Sequence, residues 1–336
     1  MSVTDILNKS SAHCLALLAS VRGLSDLSSV SIELVEAGVW NNLIYEVKTL
    51  NGNYYFKEYQ EFVEIPNYSP PNISPAQRAS VAQIAQDLGS NSFKGQHGLV
   101  PAIVARDSTA FVMEEVPSAD HLLSYLSKGE YPKSIVETLP VALARFHNHT
   151  HLKDYSGTAL ADTRFKDYKL DLQYYKTAEL LESTQKDALI TFVENYKQQN
   201  LCVVHGDLNS KNILITPNNA AYVIDFEQAH LGSPAYDLAF ILSELYIASI
   251  QFKDKAEFRD LCTLFVKRYL NTLEGFDRQQ IAKETTLHLA AQVLYRFQGP
   301  SHAVWTSYVD SKARGEIISR VSNFITPDPV SILEIF

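Results

Sequence analysis

Residues 201–238 read LCVVHGDLNSKNILITPNNAAYVIDFEQAHLGSPAYDL, and the fold is decided there. The apolar run Leu201–Val204 is short enough for a buried strand. His205-Gly206-Asp207 follows, and Asn212 comes five positions after the aspartate. Ile213–Thr216, a Pro217-Asn218-Asn219 turn and Ala221–Ile224 read as a hairpin that delivers Asp225 at the end of its second strand. Two carboxylates and one amide are thus expected on strand ends and tight turns, where a rigid scaffold holds them together. The plain alternative is a solvated loop with capping aspartates.

Those residue types suit phosphoryl transfer. Magnesium takes hard oxygen ligands, typically one or two carboxylates plus substrate phosphates. Asn212 and Asp225 can supply such oxygens, and Asp207 is placed to orient an attacking hydroxyl and accept its proton. H-x-D-x-x-x-x-N followed by I-D resembles the catalytic and metal-binding segments of kinases. The form HGDLNSKN…VIDFEQAHLGSPAYDLA is similar to the aminoglycoside phosphotransferase and choline kinase superfamily of small-molecule kinases.

The resemblance covers roughly residues 31–245. It implies an α+β, two-lobed protein-kinase-like fold. An antiparallel-sheet N-lobe would span 1–116, and a mainly helical C-lobe 117–336. The implied reaction moves the γ-phosphoryl group of ATP, with Mg2+, to a hydroxyl of a sugar, amino alcohol or antibiotic. One rival is a protein kinase, but only residues 226–233 separate Asp225 from the Pro234 helix, too few for a substrate-docking segment. Another is an inactive nucleotide-binding module acting through partners, which would be expected to lose the base or a metal ligand. Asp207, Asn212 and Asp225 are all present.

Composition sets the frame. With 336 residues, 46% hydrophobic and 20% charged, the chain can bury a sizeable core. A net charge of −9 argues against nucleic-acid binding, which wants a basic surface. Cys14, Cys202 and Cys262 form no close pair, which excludes a C-x-x-C motif and suggests a reducing, cytoplasmic setting. The N-terminus lacks a basic n-region and reads as an amphipathic helix over 3–20. No run approaches the roughly 18 apolar residues of a membrane span.

Upstream, strands are expected at Ser31–Val35, Asn42–Leu50 and Asn53–Tyr59. Asn51-Gly52 is the hairpin signal, and a two-residue loop there would set Leu50 opposite Asn53 and Glu46 opposite Lys57. Lys57, on the third strand, matches the lysine that holds the α- and β-phosphates in the kinase template. Read without the template, it pairs with Glu46 across the strands. The turn Gly38–Asn42 is neither a G-x-G-x-x-G loop nor a Walker A motif. The resemblance implies that Asn41 and Asn42 help cover the nucleotide, although both could equally be turn formers. Ser74 and Pro75 open a helix that should stop at Gly89. That helix lacks the glutamate that family members present to the strand lysine, so Gln83, Glu61 or Glu64 would have to substitute.

Strands Ala102–Arg106 and Thr109–Glu114 lead to the implied hinge, with Met113 as the gate and Glu114 and Val116 offering backbone groups to adenine. A helix is expected over Asp120–Lys128. Ser134–His149 reads as a helix kinked by Pro140, and His147, His149 and His151 as a helix end preferring positive charge. His205 is expected to be structural, and Asp237, in the first turn after Pro234, to support the catalytic loop. Helices follow over 256–274 and 278–297. An acceptor wall would lie between residues 160–180 and 290–310, bringing Arg296, Trp305 and Tyr308. Residues 151–185 hold nearly equal numbers of acids and bases, which does not fit a polycationic acceptor.

Overall fold

The computed structural model describes residues 3–21, 27, 29–37, 42–62, 70–92, 100–253, 257–299 and 306–336. Five strands build an antiparallel sheet in the order β1-β2-β3-β5-β4. They are β1 (Ser31–Ala37), β2 (Asn42–Thr49), β3 (Gly52–Tyr59), β4 (Ile103–Arg106) and β5 (Ala110–Glu114).

Alternation along β3 sends its side chains to opposite faces. Phe56 joins Tyr45, Val47, Ala110 and Val112 under helix α1 (Val3–Leu18), which contributes Cys14, Leu17 and Leu18. Glu58, on the same face, accepts from Ser10 and meets His13 Nδ1 at 2.6 Å. Lys57 and Tyr59 point the other way, toward helix α2 (Pro75–Ser92), where Tyr59 and Phe111 pack on Ala79 and Ala82.

The β2–β3 register differs from the expectation by two residues. Thr49 faces Gly52, so Ile44, not Glu46, lies opposite Lys57. Thr49 Oγ1 donates to the Gly52 carbonyl at 2.8 Å and accepts from the Asn51 N–H at 3.1 Å. That cap makes Leu50-Asn51 the centre of the turn. Glu46 pairs instead with Lys48 at 2.9 Å, which removes the bland explanation for Lys57.

Helix α2 also runs through Gly89 to Ser92. The glycine serves packing: a Cβ there would meet Val100 Cγ2 at 3.0 Å and Phe226 Cζ at 3.6 Å. Ser74 accepts from the Gln77 N–H at 3.3 Å, as an N-cap does.

Beyond β5 the chain turns helical. The Asp120–Lys128 segment is not one helix. Asp120–His121 forms β6, which pairs with β8 before α3 (Leu122–Leu126) begins. The Pro140 region is broken rather than kinked, giving α4 (Ser134–Glu137) and α5 (Leu139–Thr150) with the proline in the first turn of α5. Next come α6 (Arg164–Leu170), a π-helical turn over Asp171–Tyr175, α7 (Lys176–Ala178) and α8 (Ser183–Gln198). Strand β7 (Cys202–Val204) pairs with β10 (His230–Gly232), and β8 (Ile213–Ile215) with β9 (Ala221–Val223).

Helix α9 (Ala235–Gln251) follows, buried on every side from Ala235 to Ala248. A helix buried all round belongs in the middle of a core. Helices α10 (Glu257–Thr272), α11 (Arg278–Gln298), α12 (Ser311–Ser322) and α13 (Ile332–Ile335) pack around it. No helix among the described residues is long and apolar enough to cross a membrane.

Candidate active site

Backbone geometry fixes the Asp207 loop first. Gly206 has φ of +79°, and a Cβ there would sit 2.1 Å from the Gln228 carbonyl oxygen, so only glycine fits. Asp237, in the first turn of α9, holds the same point from behind. Its carboxylate accepts the His205 N–H at 2.6 Å and the Gly206 N–H at 3.1 Å. His147 Nε2 lies 3.1 Å from it, and His147 Nδ1 is 2.6 Å from the Tyr269 hydroxyl. Burial would raise the Asp237 pKa, but the bonds from His147 and the His205 backbone outweigh it and hold the carboxyl below its usual range.

The histidines therefore do different things. His147 is a buried brace. His149 and His151 are pushed toward the neutral form by burial, with Lys153 adding to this at His149. That corrects the expected cationic helix end. His205 is structural: its Nε2 is 2.9 Å from the Ile224 carbonyl, and its Nδ1 accepts the Asp207 N–H at 3.2 Å.

Asp207 is one-fifth exposed, with both carboxylate oxygens engaged. Oδ2 accepts from the side-chain amides of Asn209 at 3.1 Å and Asn212 at 3.2 Å. Oδ1 accepts from Lys169 Nζ at 2.7 Å. Asn212 uses its amide nitrogen on Asp207, so its amide oxygen is left for another partner. The Ile224 N–H donates to the Asn212 carbonyl at 3.0 Å, which sets Asn212 beside the β9 end that carries Asp225.

Asp225 has φ of +69°, a conformation uncommon outside glycine. Such strain concentrates where function needs a side chain re-aimed. Its Oδ1 is 2.6 Å from Lys57 Nζ. Burial would raise the Asp225 pKa, and the Lys57 charge and hydrogen bond more than reverse it, so the carboxyl titrates below its usual range. Burial likewise works against the Lys57 charge, but Asp225 raises its pKa and keeps the lysine cationic.

The absent helix glutamate is replaced by a different arrangement. Glu227, two residues beyond Asp225, lies 3.9 Å from Lys57 and pairs with Arg78 of α2 at 3.1 Å. Arg78 is fully buried, donates to the Gln60 carbonyl at 3.0 Å and to Asn42 Oδ1, and stacks over Tyr59. The Asn42 amide donates to Glu227 at 2.8 Å. Gln83 is not the substitute, since its amide serves the Asp107 and Ala110 carbonyls at 2.8 and 3.2 Å. Asp87 pairs with Arg106 on the surface at 2.6 Å. Glu64 and Asn41 lie outside the described residues, as does Trp305.

Met113 Sδ accepts from Gln86 at 3.6 Å, which turns the side chain toward α2. The Glu114 N–H goes to the Ala102 carbonyl at 3.0 Å, and Val116 is buried just beyond. Arg296 is buried and pairs with Glu244 at 3.1 Å. Glu244 in turn accepts the Ser210 N–H at 3.1 Å, so Arg296 reaches the loop that follows Asp207 through a carboxylate. Tyr308 stacks on Phe252 with rings 6.1 Å apart.

The oxygens that could hold a divalent cation here are the Asn212 amide oxygen and the Asp225 carboxylate. Both are hard, and both sit at one hairpin end, so the set fits Mg2+ completed by phosphate and water.

Comparison with known proteins gives the family. A family model described as the phosphotransferase enzyme family matches residues 31–280. The chain belongs to that family.

Solved structures similar to this phosphotransferase include an ethanolamine kinase from Plasmodium vivax, with a TM-score of 0.51 and 13% identity over 94% of this chain and 87% of that one. A choline/ethanolamine kinase family protein from Mesorhizobium loti gives 0.52 and 14% over 93% and 94%. An amicoumacin kinase solved with AMP-PNP and Ca2+ gives 0.52 and 14% over the full length of both chains. At such identities the likeness shows the fold: a two-lobed, kinase-like architecture with a small antiparallel sheet and a mostly helical remainder. No curated protein sequence gives a significant match.

Three residues around Asp207 and Asp225 were not foreseen in these roles: Arg78, Lys169 and Glu227. Arg78 and Lys169 each stand where helical phase calls for an apolar residue. Lys169 follows buried Phe165 by four positions, and Arg78 precedes buried Val81 and Ala82 by three and four. A cation in the core phase of a helix is the signal that could have found them.

Proposed function

We propose that this chain transfers the γ-phosphoryl group of ATP to a hydroxyl of a small molecule. Residues 1–116 would act as the nucleotide-binding lobe and 117–336 as the catalytic and acceptor lobe. The observation that carries the reading is the convergence of Asp207, Asn212 and Asp225 on one loop and hairpin, met from the facing sheet by Lys57 within 2.6 Å of Asp225.

The parts take these roles. Asn212 and Asp225 would hold Mg2+, which would supply positive charge against the charge on the transferring phosphate. Lys57, beside Asp225 at 2.6 Å, would hold the α- and β-phosphates. Met113, Glu114 and Val116 would line the adenine, and Asn41 the phosphate side. The Asn42 side chain is committed to Glu227 and Arg78, so its contribution to the nucleotide would come through the backbone. Asp207 would orient the acceptor hydroxyl and accept its proton, a function typically worth 10²–10⁴-fold. Arg296 would steady the catalytic loop through Glu244, with Trp305 and Tyr308 on the acceptor side. The unpaired, buried cysteines accord with a cytoplasmic protein.

The test is ADP release from Mg·ATP across a panel of hydroxyl compounds, with the product followed by 31P NMR. A phosphate monoester on a small molecule supports the reading. Phosphate found only on protein, or no nucleotide binding at all, contradicts it.

A further inference from the structure

The lone pairs of Asp207 limit where an acceptor can dock. A carboxylate oxygen offers two acceptor sites. Oδ2 already receives two amide donors, from Asn209 and Asn212. Oδ1 receives one, from Lys169 at 2.7 Å. An acceptor hydroxyl bonding to the base must therefore take the remaining site on Oδ1, beside the Lys169 ammonium. With hydrogen bonds of about 2.7 Å on each side, substituents on the adjoining carbons fall roughly 4–6 Å from that ammonium.

Lys169 is 8% exposed and has no hydrogen-bond partner except Asp207 among the described residues. Its ammonium sits 5.5 Å from the Phe240 ring centre, and the Arg296 guanidinium lies 4.7 Å from the same centre. Arg296 is 3% exposed, and its Nε has no hydrogen-bond partner among the described residues. Two cations thus share one aromatic ring on the acceptor side, one with an unused donor.

The carboxylates nearby carry partners of their own, as Lys169 and Arg296 do, so what sets Lys169 apart is its place beside the open site on Asp207 Oδ1. Glu244 is taken by Arg296, and Asp225 by Lys57. In the 160–180 stretch, Asp162, Asp167, Asp171 and Glu179 are paired with Arg164, Lys197, Lys176 and Lys186.

Resting on the kinase reading above, we propose that the acceptor is a hydroxy acid. Its carboxylate, near the phosphorylated hydroxyl, pairs with Lys169. In the reaction the hydroxyl proton passes to Asp207, the acceptor oxygen bonds to the γ-phosphorus, and the bond from that phosphorus to the bridging oxygen breaks as ADP leaves. Lys169 is the specificity-determining residue. At an effective dielectric of about 20, the Lys169 charge alone would favour a carboxylate roughly 5 Å away on the order of a hundredfold, and the charge of Asp207, 2.7 Å from Lys169, offsets part of that.

The test uses matched triads at constant carbon skeleton: glycolate, ethylene glycol and ethanolamine; glycerate, glycerol and 3-amino-1,2-propanediol; gluconate, glucitol and 1-amino-1-deoxyglucitol. ADP release with Mg·ATP gives kcat/KM for each, and ATP binding is measured separately by calorimetry. The carboxylate member should exceed the amine member at least tenfold in every triad that turns over. Lys169→Gln should shrink that ratio tenfold or more, while Lys169→Arg keeps it. A ratio of two acceptors on one variant does not move with a general loss of folded enzyme. Preference for the amine member, or a ratio unchanged in Lys169→Gln, overturns the proposal while the kinase reading stands. The same holds if Mg·ATP binds and no triad member is phosphorylated. Failure to bind Mg·ATP overturns both.

Discussion

Replacing Arg78 with methionine tests the arrangement that stands in for the lysine–glutamate pair. The side chain is fully buried; it pairs with Glu227 at 3.1 Å, donates to the Gln60 carbonyl at 3.0 Å and packs over Tyr59. Methionine keeps much of the volume and removes the charge. Breaking a buried pair from one side costs about 3–5 kcal/mol, because the other charge remains buried and uncompensated. Here Lys57 lies 3.9 Å from Glu227 and takes up part of that charge, so the lower end, about 3 kcal/mol, is expected. For a chain of this size each kcal/mol moves Tm by roughly 2 °C, which gives a fall of about 6 °C by scanning calorimetry. Drawing Lys57 toward Glu227 also takes it from Asp225 and the phosphates, so the KM for ATP should rise. Adding Glu227→Gln should recover part of the lost stability, because the stranded charge is then gone. A Tm within 2 °C of the parent, or a double variant no better than the single one, would refute the reasoning.

Further outcomes follow from individual contacts. Gly206→Ala should destabilise by more than about 3 kcal/mol, since both positive φ and the close approach of the Gln228 carbonyl oppose it; a shift in the urea midpoint worth less than 1 kcal/mol contradicts this. Lys57→Ala should weaken ATP far more than adenosine, and equal losses would point to a folding defect. Asp225→Ala should remove the magnesium dependence of nucleotide binding, and unchanged dependence in calorimetry would show that the metal is held elsewhere. At His13, burial lowers the pKa, but Glu58 and Asp107 win and raise it. A raised folded pKa means that stabilisation is complete below the unfolded value near 6.5 and is lost as pH climbs through the folded value. Urea midpoints should therefore fall from pH 6 to pH 9 by more in the parent than in His13→Gln; identical falls would dismiss the role of this histidine.

Much of the fold was legible because period and punctuation agree along the chain. The catalytic hairpin, β1 to β5, α9, α10 and α11 all appear close to their expected places. The misses have local physical causes. Thr49 caps the turn with its own hydroxyl, so the Asn51-Gly52 signal marks the hairpin but not its centre. Gly89 looked like a helix stop and is a packing notch against Val100 and Phe226. Asp120–His121 pairs with β8, a long-range choice that no local pattern records. At the site, the polar spacing of the loop was readable, whereas the partners of each group were not. Arg78, Lys169 and Glu227 meet their counterparts across 149, 38 and 185 residues of chain. Only the fold brings them together.

The most direct measurement of the central claim is single-turnover phosphoryl transfer by Asp207→Asn, using the best acceptor found for the parent enzyme and nucleotide affinity measured in parallel. A positioned base accounts for 10²–10⁴-fold, so transfer should slow at least a hundredfold while the Kd for Mg·ATP stays within a few-fold of the parent. A variant that keeps more than about a tenth of the parent rate, with nucleotide bound normally, would contradict the assignment of Asp207 as the base.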